Sequence, residues 1–166
     1  MGIFDKFKKK EDIPDTEAKD IVAPVKGKMI PAAEISDPVF SQEVMGQTVG
    51  FIPLEEDFVV GCPVNGTVEA VFSTNHAFGI RDNAGNVYLI HIGIDTVSLN
   101  GEGFKPFIKV GDKVKAGQKA IKVDTKKLKS KGFDLTTMLI VSEKEAEDFV
   151  VNYIPYGNVE KNQKIN

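Results

Sequence analysis

The chain has 166 residues, enough for one domain with a substantial core, and its net charge of −3 lacks the basic excess of general nucleic-acid binders. Cys62 is the only cysteine. An internal disulfide is therefore excluded, and we expect a small buried apolar residue in a reducing compartment. No apolar stretch has the length of a signal-peptide core or of a membrane span. We therefore expect a cytoplasmic protein with no nucleic-acid partner.

Residues 1–19 are predicted to be a tail that precedes a single domain of residues 20–166. Ile3, Phe4 and Phe7 share one helical face, surrounded by lysines at positions 6, 8, 9 and 10. Two interpretations stay open: a short amphipathic helix that touches acidic lipid, or a flexible, solvated tail. Because the segment is short, any contact with the inner face of the membrane would be weak and transient.

From residue 21 onward, short runs rich in Val, Ile and Phe are bounded by Gly, Pro, Asn and Asp, which is typical of strands and turns. Strands are predicted at residues 25–30, 66–72, 87–94, 120–123 and 136–141. Short helices are predicted at 126–131 and at 143–150, the second capped by Ser142. These elements predict an all-β fold, an antiparallel β-sandwich or barrel with short helical pieces.

A weak internal repeat accompanies these strands. Residues 21–29 and 60–68 each contain Pro-Val-x-Gly as a turn leading into a strand. Since shared turn chemistry alone can produce such a likeness, it supports only the fold class.

The two histidines of the chain fall on either side of a predicted β-hairpin. The turn signal Arg-Asp-Asn-Ala-Gly-Asn at residues 81–86 separates two apolar segments. A turn centred between Asn83 and Ala84 places His76 directly opposite His91, with their Cβ atoms about 5 Å apart on one face of the sheet. The sequence therefore predicts neighbouring imidazoles.

Strand alternation predicts which side chains share a face with these imidazoles. The core face of the second strand is predicted to hold Tyr88, Ile90, Ile92 and Ile94. The other face is predicted to hold His91 with Val87, Leu89 and Gly93, where the missing side chain of Gly93 leaves open space. If its own segment stays extended, His76 shares a face with Phe72, Thr74 and Phe78.

Paired imidazoles at neutral pH favour nucleophilic chemistry. One ring can carry a transferable phosphoryl group while the second donates a hydrogen bond to the phosphoryl oxygens. Thr74 could orient that second ring, and Asp95 could hold a ring or contact a partner. Two alternatives stay open: histidines that are simply packed and hydrogen-bonded, and half of a zinc site that another protein's carboxylate completes.

Several longer segments resemble one family. The run from His91 to Phe104 is similar to the phosphorylation-site signature of the glucose-type IIA component of the bacterial phosphoenolpyruvate-dependent sugar phosphotransferase system. Residues 74–78 resemble the segment with that family's second histidine, and residues 37–40 resemble its apolar docking segment. Residues 110–117 and the opening Met-Gly-Ile-Phe-Asp-Lys are also similar, so the resemblance is collinear along the chain.

The resemblance implies an antiparallel β-sandwich that carries phosphate on Nε2 of His91. The small phosphocarrier HPr would donate the group, and the IIB domain of a membrane sugar permease would accept it. His76 would serve onward donation, not acceptance. The apolar rim for these partners would comprise Val39, Phe40, Phe72, Phe78 and Val97, with Asp37 and Asp95 at its edge.

The resemblance also implies that no cofactor is required, although a zinc ion could be shared between His76, His91 and a partner's carboxylate. The resemblance further implies that the protein binds regulatory protein targets. Two departures from the family put partner specificity in doubt: Pro38 inside the docking segment removes a backbone donor, and residues 120–135 are unusually rich in lysine.

Two rival classes of function remain. One is a regulatory binding module that has kept the fold without the chemistry, although both histidines are present. The other is a biotinyl or lipoyl carrier, for which Lys28 would have to lie at an exposed hairpin tip. A solvated strand residue is the simpler interpretation of Lys28.

Overall fold

The computed structural model describes residues 13–166. The predicted amphipathic face at residues 3–10 lies outside the described residues. Residues 13–19 form no regular element, but Thr16 Oγ1 lies 3.3 Å from Asn65 Oδ1.

Strands dominate the described part of the chain. They are β1 (Gly27–Pro31), β2 (Gln47–Pro53), β3 (Val59–Gly61), β4 (Gly66–Val71), β5 (Ala77–Arg81), β6 (Val87–Ile92), β7 (Phe104–Pro106), β8 (Lys113–Val114), β9 (Lys119–Val123), β10 (Thr137–Glu143) and β11 (Gly157–Val159). Two short helices, α1 (Pro38–Ser41) and α2 (Thr125–Ser130), and 3-10 turns at Ala32–Glu34 and Thr96–Leu99 complete the elements. None of the described helices is long and apolar enough to cross a bilayer.

The strands form two antiparallel sheets. The larger has the order β11-β1-β2-β10-β6-β5-β4-β8, and the smaller has the order β3-β9-β7. The prediction of an all-β sandwich with short helical pieces is confirmed.

The helix predicted at residues 143–150 is wrong. Strand β10 runs through Ser142 to Glu143, and Ser142 Oγ donates to the carbonyl of Val87 instead of capping a helix. The backbone N–H of Glu145 donates to Asn86 Oδ1, which ties the chain to the neighbouring turn. Residues 143–148 are exposed, so a helix there would bury no apolar face that could stabilise it.

Apolar side chains pack on both faces of the larger sheet. The main core lies between the sheets and includes Phe51, Phe78, Ile80, Ile90, Ile121 and Leu139. A smaller cluster covers the other face of the larger sheet and comprises Ile30, Ile35, Phe40, Ala77, Leu89, Met138 and Ile140, with Ile94 against it. Strand β6 is therefore apolar at nearly every position because both of its faces are buried.

The repeated Pro-Val-x-Gly segments bind each other. The N–H of Val22 donates to the carbonyl of Pro63 at 2.9 Å, and the N–H of Gly61 donates to the carbonyl of Pro24 at 2.9 Å. The weak sequence repeat thus corresponds to two similar turns that exchange hydrogen bonds, each leading into a strand of the larger sheet.

Phe78 and Phe72 provide a test of this arrangement. Phe78 is 0 % exposed in the main core, whereas Phe72 is 40 % exposed beyond the end of β4. Phe78→Ala should lower the free energy of unfolding by about 3–5 kcal/mol, because it leaves a core cavity. Phe72→Ala, the matched control, should lower it by less than about 1 kcal/mol. Urea unfolding followed by circular dichroism measures both, and equal losses would contradict the assigned positions.

Candidate functional site

His91 lies in β6, in the middle of the larger sheet. Its Cα pairs with Ala77 of β5 on one side and with Met138 of β10 on the other. The imidazole is half-buried between the rings of Phe40 and His76, each with its centroid 4.8 Å away. The two histidines are therefore neighbours, as predicted.

The predicted register between the histidines is wrong by one residue. Ala77, not His76, lies opposite His91, because the connection at residues 82–86 contains one residue more than a symmetric turn about Asn83 and Ala84. The carboxylate of Asp82 accepts hydrogen bonds from the backbone N–H groups of Ala84 and Asn86, which stabilises this longer loop.

His76 reaches His91 from just outside the strand. It precedes β5, and Asn75 before it has a left-handed backbone with φ of +56°. Because the segment does not stay extended, His76 does not share a face with Phe78, whose side chain enters the main core. A bend at the end of a strand, and not direct cross-strand pairing, brings the two rings together.

The carbonyl of Gly93 fixes the ring of His91. His91 Nδ1 lies 2.9 Å from this oxygen, and since a carbonyl only accepts, Nδ1 carries the proton. The lone pair of the neutral ring is then on Nε2. The open space predicted beside Gly93 is absent: its φ is +79°, and a Cβ there would lie 2.5 Å from Thr96 and 3.0 Å from the carbonyl oxygen of Asp134. A glycine is needed at position 93 because the backbone there has a positive φ, which residues with a side chain rarely adopt.

Thr74 holds the second ring. Thr74 Oγ1 lies 2.6 Å from His76 Nδ1, and Phe72 meets the same imidazole edge-on with ring centroids 5.5 Å apart. His76 is buried. The nitrogen of His76 that remains for other contacts is Nε2, as it is for His91.

Helix α1 supplies the cover over His91. The carboxylate of Asp37 accepts from the N–H of Val39 and caps the helix, while Pro38 occupies its first turn. A proline in that position removes no intrahelical hydrogen bond, so Pro38 suits this segment. The cap presents Phe40 to the imidazole of His91 and leaves Val39 in solvent.

Only some side chains of the predicted apolar rim are exposed on the surface. Val39, Phe72 and Val97 are exposed, and Phe72 contacts the ring of His76. Phe40 is buried beneath the surface against His91, and Phe78 is wrong as a rim residue because it is fully buried in the main core. Val44, which follows α1 and is well exposed, is an additional apolar side chain that sequence reasoning missed, although its place next to residues 37–40 could have signalled it.

Burial keeps both imidazoles neutral. The pKa of His91 is lowered to about 4, chiefly by burial and also by the neighbouring His76, against the opposing effects of the Gly93 carbonyl, Asp37 and Asp95. Burial also lowers the pKa of His76. Both aspartates predicted at the edge of the site therefore lie close enough to influence His91.

The site offers few ligands for a metal. Within residues 13–166, no group of three or more His, Cys, Asp and Glu side chains is placed to hold an ion. The Nδ1 atom of each ring is hydrogen-bonded within the chain, so only the two Nε2 atoms remain to coordinate a metal ion. A zinc ion here would need further ligands from a second protein.

The lowered pKa of His91 gives a dependence of stability on pH. Between pH 6.5 and 4 the unfolded imidazole binds a proton that folded His91 does not, so the free energy of unfolding falls as the pH decreases through this window. Urea unfolding at pH 7.5 and 5 should show that wild type loses about 1 kcal/mol more than His91→Gln. Equal losses would show that His91 titrates normally in the folded protein.

Comparison with known proteins shows the family to which the chain belongs. The sequence model of the family described as phosphoenolpyruvate-dependent sugar phosphotransferase system, EIIA 1, matches residues 19–147. The structure is similar to that of glucose permease IIA from Mycoplasma capricolum, with a TM-score of 0.80 and 32 % sequence identity over 88 % of this chain and 92 % of that one. The resemblance to the glucose-type IIA component is thereby confirmed. The chain belongs to the EIIA 1 family of the sugar phosphotransferase system, in which it is a phosphotransferase component with a phosphocarrier role in sugar transport.

Proposed function

We propose that His91 accepts a phosphoryl group from phosphorylated HPr and passes it to the IIB domain of a membrane sugar permease. The observation that carries this proposal is the hydrogen bond from His91 Nδ1 to the Gly93 carbonyl, because it leaves the lone pair on Nε2. The low pKa of His91 supports the same assignment, since a protonated ring would have no nucleophilic lone pair.

In the accepting step, Nε2 of His91 attacks phosphorus. The N–P bond forms as the bond between phosphorus and the donor breaks, and the electron pair of that bond leaves with the donor. The donating step reverses this order, with the acceptor as nucleophile. Neither step needs a metal, an oxidant or a cofactor, since phosphoryl transfer depends chiefly on positioning and charge stabilisation.

His76 would stabilise the charge on the moving group. If the hydroxyl of Thr74 donates to His76 Nδ1, then Nε2 of His76 carries its proton and can donate to a phosphoryl oxygen. The two ring centroids are 4.8 Å apart, close enough for this contact once a phosphoryl group occupies His91.

The partners would dock on the exposed apolar side chains Val39, Phe72 and Val97. Asp37 and Asp95 lie near His91 and would contribute charge recognition at the edge. Regulatory targets would use the same surface. A zinc ion shared with a partner's carboxylate would be held by the Nε2 atoms of His76 and His91, where it would join the two proteins.

The two histidines are expected to differ when they are replaced. After incubation with phosphoenolpyruvate, enzyme I and HPr, intact mass should show one acid-labile phosphate on wild type and none on His91→Gln. His76→Gln should gain the phosphate but transfer it to a IIB domain on the order of 100-fold more slowly, because a charge-stabilising donor is lost. Equal acceptance by both variants would overturn the roles, and no phosphate on wild type would leave a regulatory binding module.

Thr74 is expected to act by positioning His76. Thr74→Val should slow onward transfer roughly fivefold, the effect of one lost hydrogen bond of about 1 kcal/mol, with acceptance at His91 little changed. Thr74→Ser keeps the hydroxyl and should restore the rate. Single-turnover transfer from the phosphorylated variants measures both, and a slow serine variant would argue that packing of the methyl group is what counts.

A further inference from the structure

Positive charge is concentrated in one part of the sequence. Residues 105–131 contain ten of the 21 lysines and arginines of the chain but only two of its 24 acidic residues, Asp112 and Asp124. The remainder is strongly acidic, since the net charge of the whole chain is −3. None of these lysines takes part in the phosphoryl-transfer site described above.

The connection between β7 and β8 presents apolar side chains within this basic stretch. The N–H of Asp112 donates to the carbonyl of Lys109, which closes a tight turn with Val110 and Gly111 at its tip. Val110 is 62 % exposed, and the space around Gly111 is open. Phe107, three residues before Val110, is 45 % exposed. The loop therefore carries two large apolar side chains in water.

Lysines surround these side chains. The ammonium of Lys105 lies 5.8 Å from the centre of the Phe107 ring, while Lys109 and Lys113 flank the turn. Lys105 is also directly opposite Lys122 in the smaller sheet, an arrangement of like charges that is unfavourable unless an anion lies nearby. Within residues 13–166, neither Lys105, Lys109, Lys113 nor Lys122 forms an ion pair.

The nearby carboxylates are engaged in holding the backbone. Asp112 accepts from the N–H of Lys109 within the turn, and Asp124 accepts from the N–H of Lys127 at the start of α2. A cavity of about 500 Å³ is lined by Asp57, Asp124, Lys105 and Lys122. The carboxylate of Asp57 accepts a hydrogen bond from the hydroxyl of Thr125. Asp57 and Asp124 therefore moderate the positive charge at Lys105 and Lys122, which line the same cavity.

The turn contacts the first half of β4, whereas Phe72 of the phosphoryl-transfer site follows its last residue. Val68 exchanges two backbone hydrogen bonds with the turn, through Gly111 and Asp112. Phe72 follows the other end of the strand, about 13 Å further along the chain at the usual rise per residue.

We propose that the loop of residues 105–113 docks on an anionic phospholipid surface, with Phe107 and Val110 entering the interface and the lysines binding headgroups. A narrow turn with an apolar tip and a basic surround suits a lipid surface, since apolar groups enter the acyl boundary while cations stay at the headgroups. An acidic protein would satisfy the lysines but would need a pocket for the tip. This contact would bring the phosphocarrier to the membrane independently of residues 1–12.

Vesicle binding by the full-length chain tests the proposal. Vesicles of equal parts phosphatidylglycerol and phosphatidylcholine should bind wild type, and vesicles of phosphatidylcholine alone should not. Lys109→Gln and Val110→Ser should each weaken binding about fivefold. Lys28→Gln and Leu54→Ser, which change an exposed lysine and an exposed leucine elsewhere, are the matched controls and should leave binding unchanged.

A tryptophan reporter identifies the inserting segment, because the chain has no tryptophan of its own. Val110→Trp should show a blue-shifted emission and quenching by brominated lipid on anionic vesicles, whereas Leu54→Trp should show neither. No binding by wild type, binding that the loop variants leave intact, or an unshifted Val110→Trp emission would overturn the proposal. Binding of polyglutamate instead of vesicles would also overturn it, in favour of an acidic protein partner.

Discussion

The burial of β6 on both faces is the constraint on which the site depends. Tyr88, Ile90 and Ile92 fill the main core, while Leu89 joins the smaller cluster on the opposite face. An antiparallel sheet with one face exposed to solvent would leave His91 in water, with an ordinary pKa and a mobile ring. The smaller cluster prevents this, because the segment that carries α1 covers the outer face next to the imidazole. The segment that covers the sheet is therefore also the segment that buries the imidazole of His91.

The end of β6 supplies the second requirement, a fixed tautomer. The chain leaves the sheet at Gly93, where the positive φ turns the carbonyl toward His91 Nδ1. Thr96 donates to the carbonyl of Ile92, and Gly93 N–H donates to the carbonyl of Thr136, so this exit is held from both sides. One strand thus provides the proposed nucleophile, its apolar surroundings and the hydrogen bond that orients it.

Much of this arrangement could be predicted from the sequence, and the failures have physical causes. Strands β1, β4, β6, β9 and β10 and the neighbouring histidines followed from local patterns of apolar and turn residues, since these patterns are set by strand geometry itself. The register failed because the Asp82 carboxylate stabilises a longer loop than the residue spacing suggests. Phe78 was misplaced because the bend at Asn75 changes which side chains share a face, and a single left-handed residue leaves little trace in the pattern. The helix predicted after Ser142 failed because tertiary hydrogen bonds compete with a segment that has no face to bury.

The buried setting of His91 also bears on how transport responds to acid. An ordinary imidazole passes from about one-quarter to about three-quarters protonated when the pH falls from 7 to 6. With its pKa near 4, His91 stays almost wholly neutral over the same interval. For the phosphoryl transfer proposed above, the supply of neutral imidazole at His91 therefore changes little as the pH falls through this interval.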